Sequence, residues 1–222
     1  VNMNYAAVDA GGKNVIKVEV PVEWKNIVVG KESNGSEDRP EYISKIVDVI
    51  NAQHGDDLPV STFKGYEDGT FEMGTAAFEK RGIAVNVPEW QAENCIQCNQ
   101  CAYVCPHAAI RPFLMTEEEI NGAPAGTETR VATPTKTFAG LSFRIQVSVL
   151  DCTGCGNCAD VCPAKTKALE MKPLETQQAE IKRWDYMDQK VTVKEKVVDK
   201  FQSVKNSQFA QPLFEFSGAC AG

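Results

Sequence analysis

Two runs of cysteine share one spacing: Cys95-x2-Cys98-x2-Cys101-x3-Cys105-Pro106 and Cys152-x2-Cys155-x2-Cys158-x3-Cys162-Pro163. Inside them, Cys-Ala-Tyr-Val-Cys-Pro answers Cys-Ala-Asp-Val-Cys-Pro, so a metal-binding unit is duplicated within one chain. Three thiolates at x2 intervals fit a loop wrapped around three corners of a four-iron cubane. The fourth lies just beyond, on a turn of helix that points away, and in two-cluster ferredoxins it ligates the other cluster. The expected sets are therefore Cys95, Cys98, Cys101 and Cys162 for one [4Fe–4S] cluster, and Cys152, Cys155, Cys158 and Cys105 for the second. Structural zinc is the competing reading. Zinc takes two separated pairs around one ion, and two complete four-cysteine runs fit that poorly.

These runs take eight of the nine cysteines; Cys220 stands alone near the end. An odd count, without a charged and then apolar N-terminal stretch, speaks against a secreted disulfide scaffold and for an intracellular, cytoplasmic protein. The formal net charge of −7 argues against nucleic acid. No apolar run is long enough to span a membrane. The wraps are almost free of charge, with Asp160 alone between Cys152 and Pro163. A neutral wrap opposes reduction, backbone N–H donors favour it, and a low but usable potential is expected. Two oxidised clusters in place of eight neutral thiols would take the net charge from −7 to about −11.

Around the runs, residues 16–24 alternate apolar and polar as a half-buried strand, with Pro21 at an edge or bulge. Residues 30–40 read as a linker. Pro40 opens a helical pattern carried by Ile43, Ile46, Val47 and Ile50. Residues 62–74 read as irregular, 83–87 and 110–114 as strands, and Thr116 with Glu119 as a capping box. Residues 121–140 look like a surface excursion. Strands follow at 143–149 and 168–172, then helices marked by Ile181, Trp184 and Met187 and by Val197, Phe201 and Val204. His107, Lys165 and Lys167 lie beside the runs, where solvent-facing positions are the simpler expectation, and His54 reads as a turn residue. There is no Ser/His/Asp set, no phosphate-cradling loop and no paired catalytic carboxylates, so no catalytic residue is expected.

Four stretches resemble pyruvate:ferredoxin (flavodoxin) oxidoreductase: GTAAFEKRGIAVNVPEW (74–90), which looks like that family's EKR signature, CIQCNQCAYVCPHAAIRP (95–112), DCTGCGNCADVCP (151–163) and SQFAQPLFEFSGACAG (207–222). The resemblance implies an α+β chain in four parts. Residues 1–30 would be the tail of a preceding domain, 31–82 a small mixed EKR domain, 83–173 a ferredoxin-like dicluster domain and 174–222 a helical connector to a thiamine diphosphate domain. It implies the electron-relay part of an enzyme that decarboxylates pyruvate on thiamine diphosphate and Mg2+ and passes the acyl group to coenzyme A. Ferredoxin or flavodoxin would be the acceptor and a homodimer the assembly. A third [4Fe–4S] cluster would lie by the thiamine, and Cys220-Ala221-Gly222 matches the start of its Cys-Ala-Gly-Cys motif, so Cys220 is an expected ligand. With no initiating Met and an apolar ending, the chain reads as a piece of a longer protein. Glu79, Lys80 and Arg81 match the signature without an evident chemistry. The competing readings are a stand-alone dicluster ferredoxin and an iron–sulfur subunit of another complex, such as a hydrogenase.

Overall fold

The structure, a computed structural model, describes residues 1–26 and 39–210. It divides into two compact units, Val1–Arg39 and Pro40–Gly222. In the first, α1 (Asn2–Lys13) buries no residue, and a 3-10 turn follows at Val22–Asn26. The strand expected at 16–24 is absent: Ile16, Val18, Val20, Val22 and Trp24 are all exposed. An alternating strand is stabilised by a paired edge and a covered face, and the described residues of this unit supply neither.

The second unit opens on helical turns. A π-helical turn at Ile43–Val47 runs into α2 (Asp48–Asn51), and it buries Ile43 and Ile46 while leaving Ile50 outside. Three 3-10 turns follow, at Gly55–Asp57, Val60–Phe63 and Thr75–Phe78, with no strand among the described residues to this point. Tyr66 stacks on Phe71, at 5.6 Å between ring centroids.

Then the pattern repeats. Strand β1 (Asn86–Trp90) leads into the first cysteine run and its short helix α3 (Gln100–Tyr103), and β2 (Ile110–Met115) leads out. Helix α4 (Glu117–Asn121) follows, with the expected capping box: Thr116 accepts from the Glu119 N–H and Glu119 accepts from the Thr116 N–H. After β3 (Arg130–Val131), β4 (Ser142–Val147) leads into the second run and α5 (Asn157–Asp160), and β5 (Leu169–Pro173) leads out. The expected strand at 83–87 thus begins at Asn86. Pro112 sits in β2 without penalty because β2 is the edge of a three-stranded sheet ordered β2-β4-β3. The excursion at 121–140 is not wholly superficial, since Ala132 and Phe138 are buried.

Strands pair across the duplication, β2 with β4 and β1 with β5, both antiparallel. The core lies between the two sheets, on Val87, Trp90, Ile110, Leu114, Phe143 and Ile145. Each such side chain contributes about 1.5–3 kcal/mol on burial. Helix α6 (Ala179–Lys190) packs on the other face of β2, where Met187 is buried with Phe113 and Met115 and the Arg111 guanidinium lies over the buried Trp184 ring, and α7 is only Val204–Ser207. The second connector helix expected over 197–204 does not form. The Phe201 N–H turns to the Asp199 carboxylate at 3.0 Å, a local bond that competes with helix.

Candidate metal centre

The strand pairing dictates which cysteines meet. Beyond β2 and β4 the ladder continues with the Ser148 N–H donating to the Ala109 carbonyl, at 2.7 Å. Ala109 follows Cys105 and Ser148 precedes Cys152, so the end of the first run lies beside the start of the second. Beyond β1 and β5 the Gln91 N–H donates to the Ala168 carbonyl at 2.9 Å, which brings Cys162 beside Cys95. Two cavities result. One is lined by Cys95, Cys98, Cys101 and Cys162, the other by Cys105, Cys152, Cys155 and Cys158. Helix α3 packs against α5, and Cys158, were it a thiolate, would raise the Cys101 thiol across the boundary, so the cavities adjoin.

The two loops are built alike. Gln97 and Gly154 hold φ of 57° and 72°, Asn99 and Gly156 hold 62° and 80°. That left-handed backbone turns the N–H of Gln97 onto the Cys95 sulfur and that of Gly154 onto the Cys152 sulfur, both at 3.4 Å. The N–H of Ala168 reaches Cys162 at the same distance. At 154 only glycine fits: a Cβ would stand 2.8 Å from the Asn86 carbonyl oxygen. In the first loop, non-glycine residues bear the left-handed strain, and their buried side chains act as anchors. Gln97 donates to the Val131 carbonyl at 2.8 Å and accepts from the Thr133 N–H at 2.8 Å; Asn99 donates to the Lys205 carbonyl at 2.9 Å.

Three further residues, unmarked by any motif, hold the loops. Arg130 Nη1 donates to the carbonyls of Ala92, Glu93 and Cys95, at 2.8, 3.1 and 2.7 Å. Lys205 Nζ donates to the Thr133 carbonyl at 2.9 Å. Lys167 Nζ donates to the carbonyls of Asp160 and Cys162 at 2.7 and 2.8 Å, so it caps the end of α5; both it and Lys165 are exposed, as expected. His54 pairs with Asp57 in an exposed turn, as expected. His107 departs from expectation: it lines the second cavity, and its Nδ1 is buried without a hydrogen bond. Cys220 lies outside the described residues.

Burial pushes the Cys158 thiol up to about 12 and also raises Cys101, Cys95 and Cys152; the N–H groups of Gln97 and Gly154 pull the last two the other way. Without metal these thiols are neutral at pH 7, so metal uptake releases protons. Two further donors fit an anionic occupant. The Trp90 indole N–H lacks a hydrogen bond of good geometry, but it draws down the Cys95 thiol, and His107 Nδ1 stands at the other cavity. Among the described residues no three His, Cys, Asp or Glu side chains converge on a single-ion site. Four thiols around the wall of a cavity suit a cubane and not one zinc ion.

Duplicated loops, crossed strands and two four-thiol cavities define a [4Fe–4S] dicluster protein of ferredoxin-like α+β fold. Two family models agree, a 4Fe-4S dicluster domain over residues 94–166 and EKR, a domain of unknown function, over 30–84. Over its whole length the chain is 54% identical to the pyruvate:ferredoxin oxidoreductase of Moorella thermoacetica and 53% identical to the pyruvate-flavodoxin oxidoreductase of Enterobacter agglomerans. The mitochondrial pyruvate dehydrogenase [NADP(+)] of Euglena gracilis is 42% identical, again over all of this chain. The chain spans 18%, 18% and 12% of these relatives. It belongs to the pyruvate:ferredoxin (flavodoxin) oxidoreductase family, as the segment with the EKR and dicluster domains. A stand-alone ferredoxin and a hydrogenase subunit are not favoured, because the likeness runs well outside the cysteine runs. Among the described residues no helix is long and apolar enough to cross a membrane.

Proposed function

We propose that this chain is the electron-relay segment of a pyruvate:ferredoxin or pyruvate:flavodoxin oxidoreductase, converting pyruvate and coenzyme A to acetyl-CoA and CO2. In this reading Cys95, Cys98, Cys101 and Cys162 hold one cluster and Cys152, Cys155, Cys158 and Cys105 the other. When bound, the clusters supply one-electron sites on the way to ferredoxin or flavodoxin. The chain's own residues bind them and donate backbone N–H groups to sulfur. The reading extends to parts beyond the described residues: thiamine diphosphate, Mg2+ and a third cluster with Cys220 among its ligands, in a cytoplasmic homodimer. The division into parts at 31–82, 83–173 and 174–222 goes with it.

The carrying observation is the pair of adjoining four-thiol cavities, each drawing on both halves of the duplication. The test is anaerobic: the intact protein, given pyruvate and coenzyme A, should reduce ferredoxin or flavodoxin, and substitution of Cys98 or Cys155 should stop it. Reduction that survives loss of both clusters would overturn the relay.

A further inference from the structure

The EKR stretch has a place in the second loop. Lys80 Nζ donates to Asp151 Oδ2 at 2.6 Å, and the Ser148 hydroxyl donates to the same oxygen at 2.5 Å. Asp151 is the residue before Cys152, and its side chain is 11% exposed, that of Lys80 27%. The Gly82 N–H donates to the Leu150 carbonyl at 2.9 Å, so the stretch grips both residues that lead into the loop. Glu79 and Arg81 pair with each other instead.

Asp151 is an awkward neighbour. A largely buried carboxylate next to a ligand of an anionic cluster repels the electron that the cluster must accept, and little water is there to screen it. We propose that the EKR stretch is the charge-compensating brace of the second loop: Lys80 cancels the Asp151 charge, and Gly82 holds the backbone in register. The cluster at Cys105, Cys152, Cys155 and Cys158 then gains one electron without a bare negative charge beside it. Lys80 is a positioning residue, since it acts through Asp151. This rests on the proposed cluster sites above.

The experiment is a redox titration of the intact, cluster-loaded protein, followed by electron paramagnetic resonance. Lys80→Met should lower the midpoint of this one cluster by roughly a tenfold change in its one-electron equilibrium, about 59 mV. Asp151→Asn should raise it, Lys80→Arg should leave it in place, and the double variant Lys80→Met/Asp151→Asn should return it towards the unsubstituted value. The other cluster should not move. If Lys80→Met loses the cluster, the double variant should regain it. An unmoved midpoint in both single variants, or a double variant no better than Lys80→Met, would overturn the brace alone. Absence of this cluster from the unsubstituted protein would overturn the cluster reading and the brace with it.

Discussion

Cys105 and Cys152 belong to opposite halves of the internal repeat, yet they wall the same cavity, and the charge of Cys105 helps to raise the Cys152 thiol, after burial. The cause is in the backbone. The Ala109–Ser148 hydrogen bond extends the β2–β4 ladder to the edge of both runs. A ladder slipped by one residue would turn every side chain of β2 to the other face and part these two sulfurs. The crossed sets therefore depend on sheet register as much as on cysteine spacing.

The two loop glycines should respond differently to alanine. Gly156 has nothing within 4 Å of a Cβ, so Gly156→Ala bears only the left-handed strain, about 1–2 kcal/mol. Gly154→Ala adds the clash with the Asn86 carbonyl oxygen. Iron retention under chelator challenge should fall further for Gly154→Ala. Equal retention by the two variants would show that loop 154 yields freely.

Glu180 is the buried partner of Arg144, at 2.8 Å, with the Gln146 amide donating to the same oxygen at 2.8 Å. Arg144 is 5% exposed at its side chain, and burial lowers its pKa. Removing the carboxylate takes the ion-pair partner from that guanidinium and leaves it only the Gln146 side chain and the Glu128 carbonyl as acceptors, so Glu180→Ala should cost about 3–5 kcal/mol in denaturant unfolding. A loss below about 1 kcal/mol would mean that water reaches Arg144 readily.

Glu119 carries a pH dependence. Burial raises its pKa, but hydrogen bonds from Lys194 and from the N–H groups of Thr116 and Thr192 outweigh that, and the net shift is downward. A carboxylate lowered by folding stabilises the native state above its ordinary value of 4.5, and the gain is lost as pH falls through the lowered folded value. Glu119→Gln should thus reduce the apparent Tm at pH 7, by the equivalent of about 2 kcal/mol, and the gap to the unsubstituted protein should close in acid. A gap that widened in acid would reverse the sign of this account.

Much of this was legible from pattern. The duplication exposed both loops because cluster geometry demands one spacing, and β2, β4, β5, α4 and α6 followed from alternation, a capping box and helical periodicity. The failures have a common cause. Residues 16–24 and 197–204 carry the right local pattern, but the side chains that make it find no surface to cover: Trp24, Val197, Phe201 and Val204 stay exposed, and in the second segment Val198 is buried instead. The braces were invisible because they act over long sequence distances: Arg130 reaches Cys95, Lys205 meets Thr133, and Lys80 meets Asp151. One signal was available and unused. Aligning the two halves sets Gln97 against Gly154 and Asn99 against Gly156, which marks two non-glycine residues in left-handed backbone and hence two anchored side chains.

The most direct test of the account replaces Cys162 by Ala in the intact protein and examines the reduced sample by iron analysis and electron paramagnetic resonance. The crossed arrangement predicts loss of the cluster on Cys95, Cys98 and Cys101, so the spectrum should match that of Cys98→Ala and differ from that of Cys155→Ala. A spectrum that matched Cys155→Ala would place Cys162 on the cluster beside it in sequence and contradict the account.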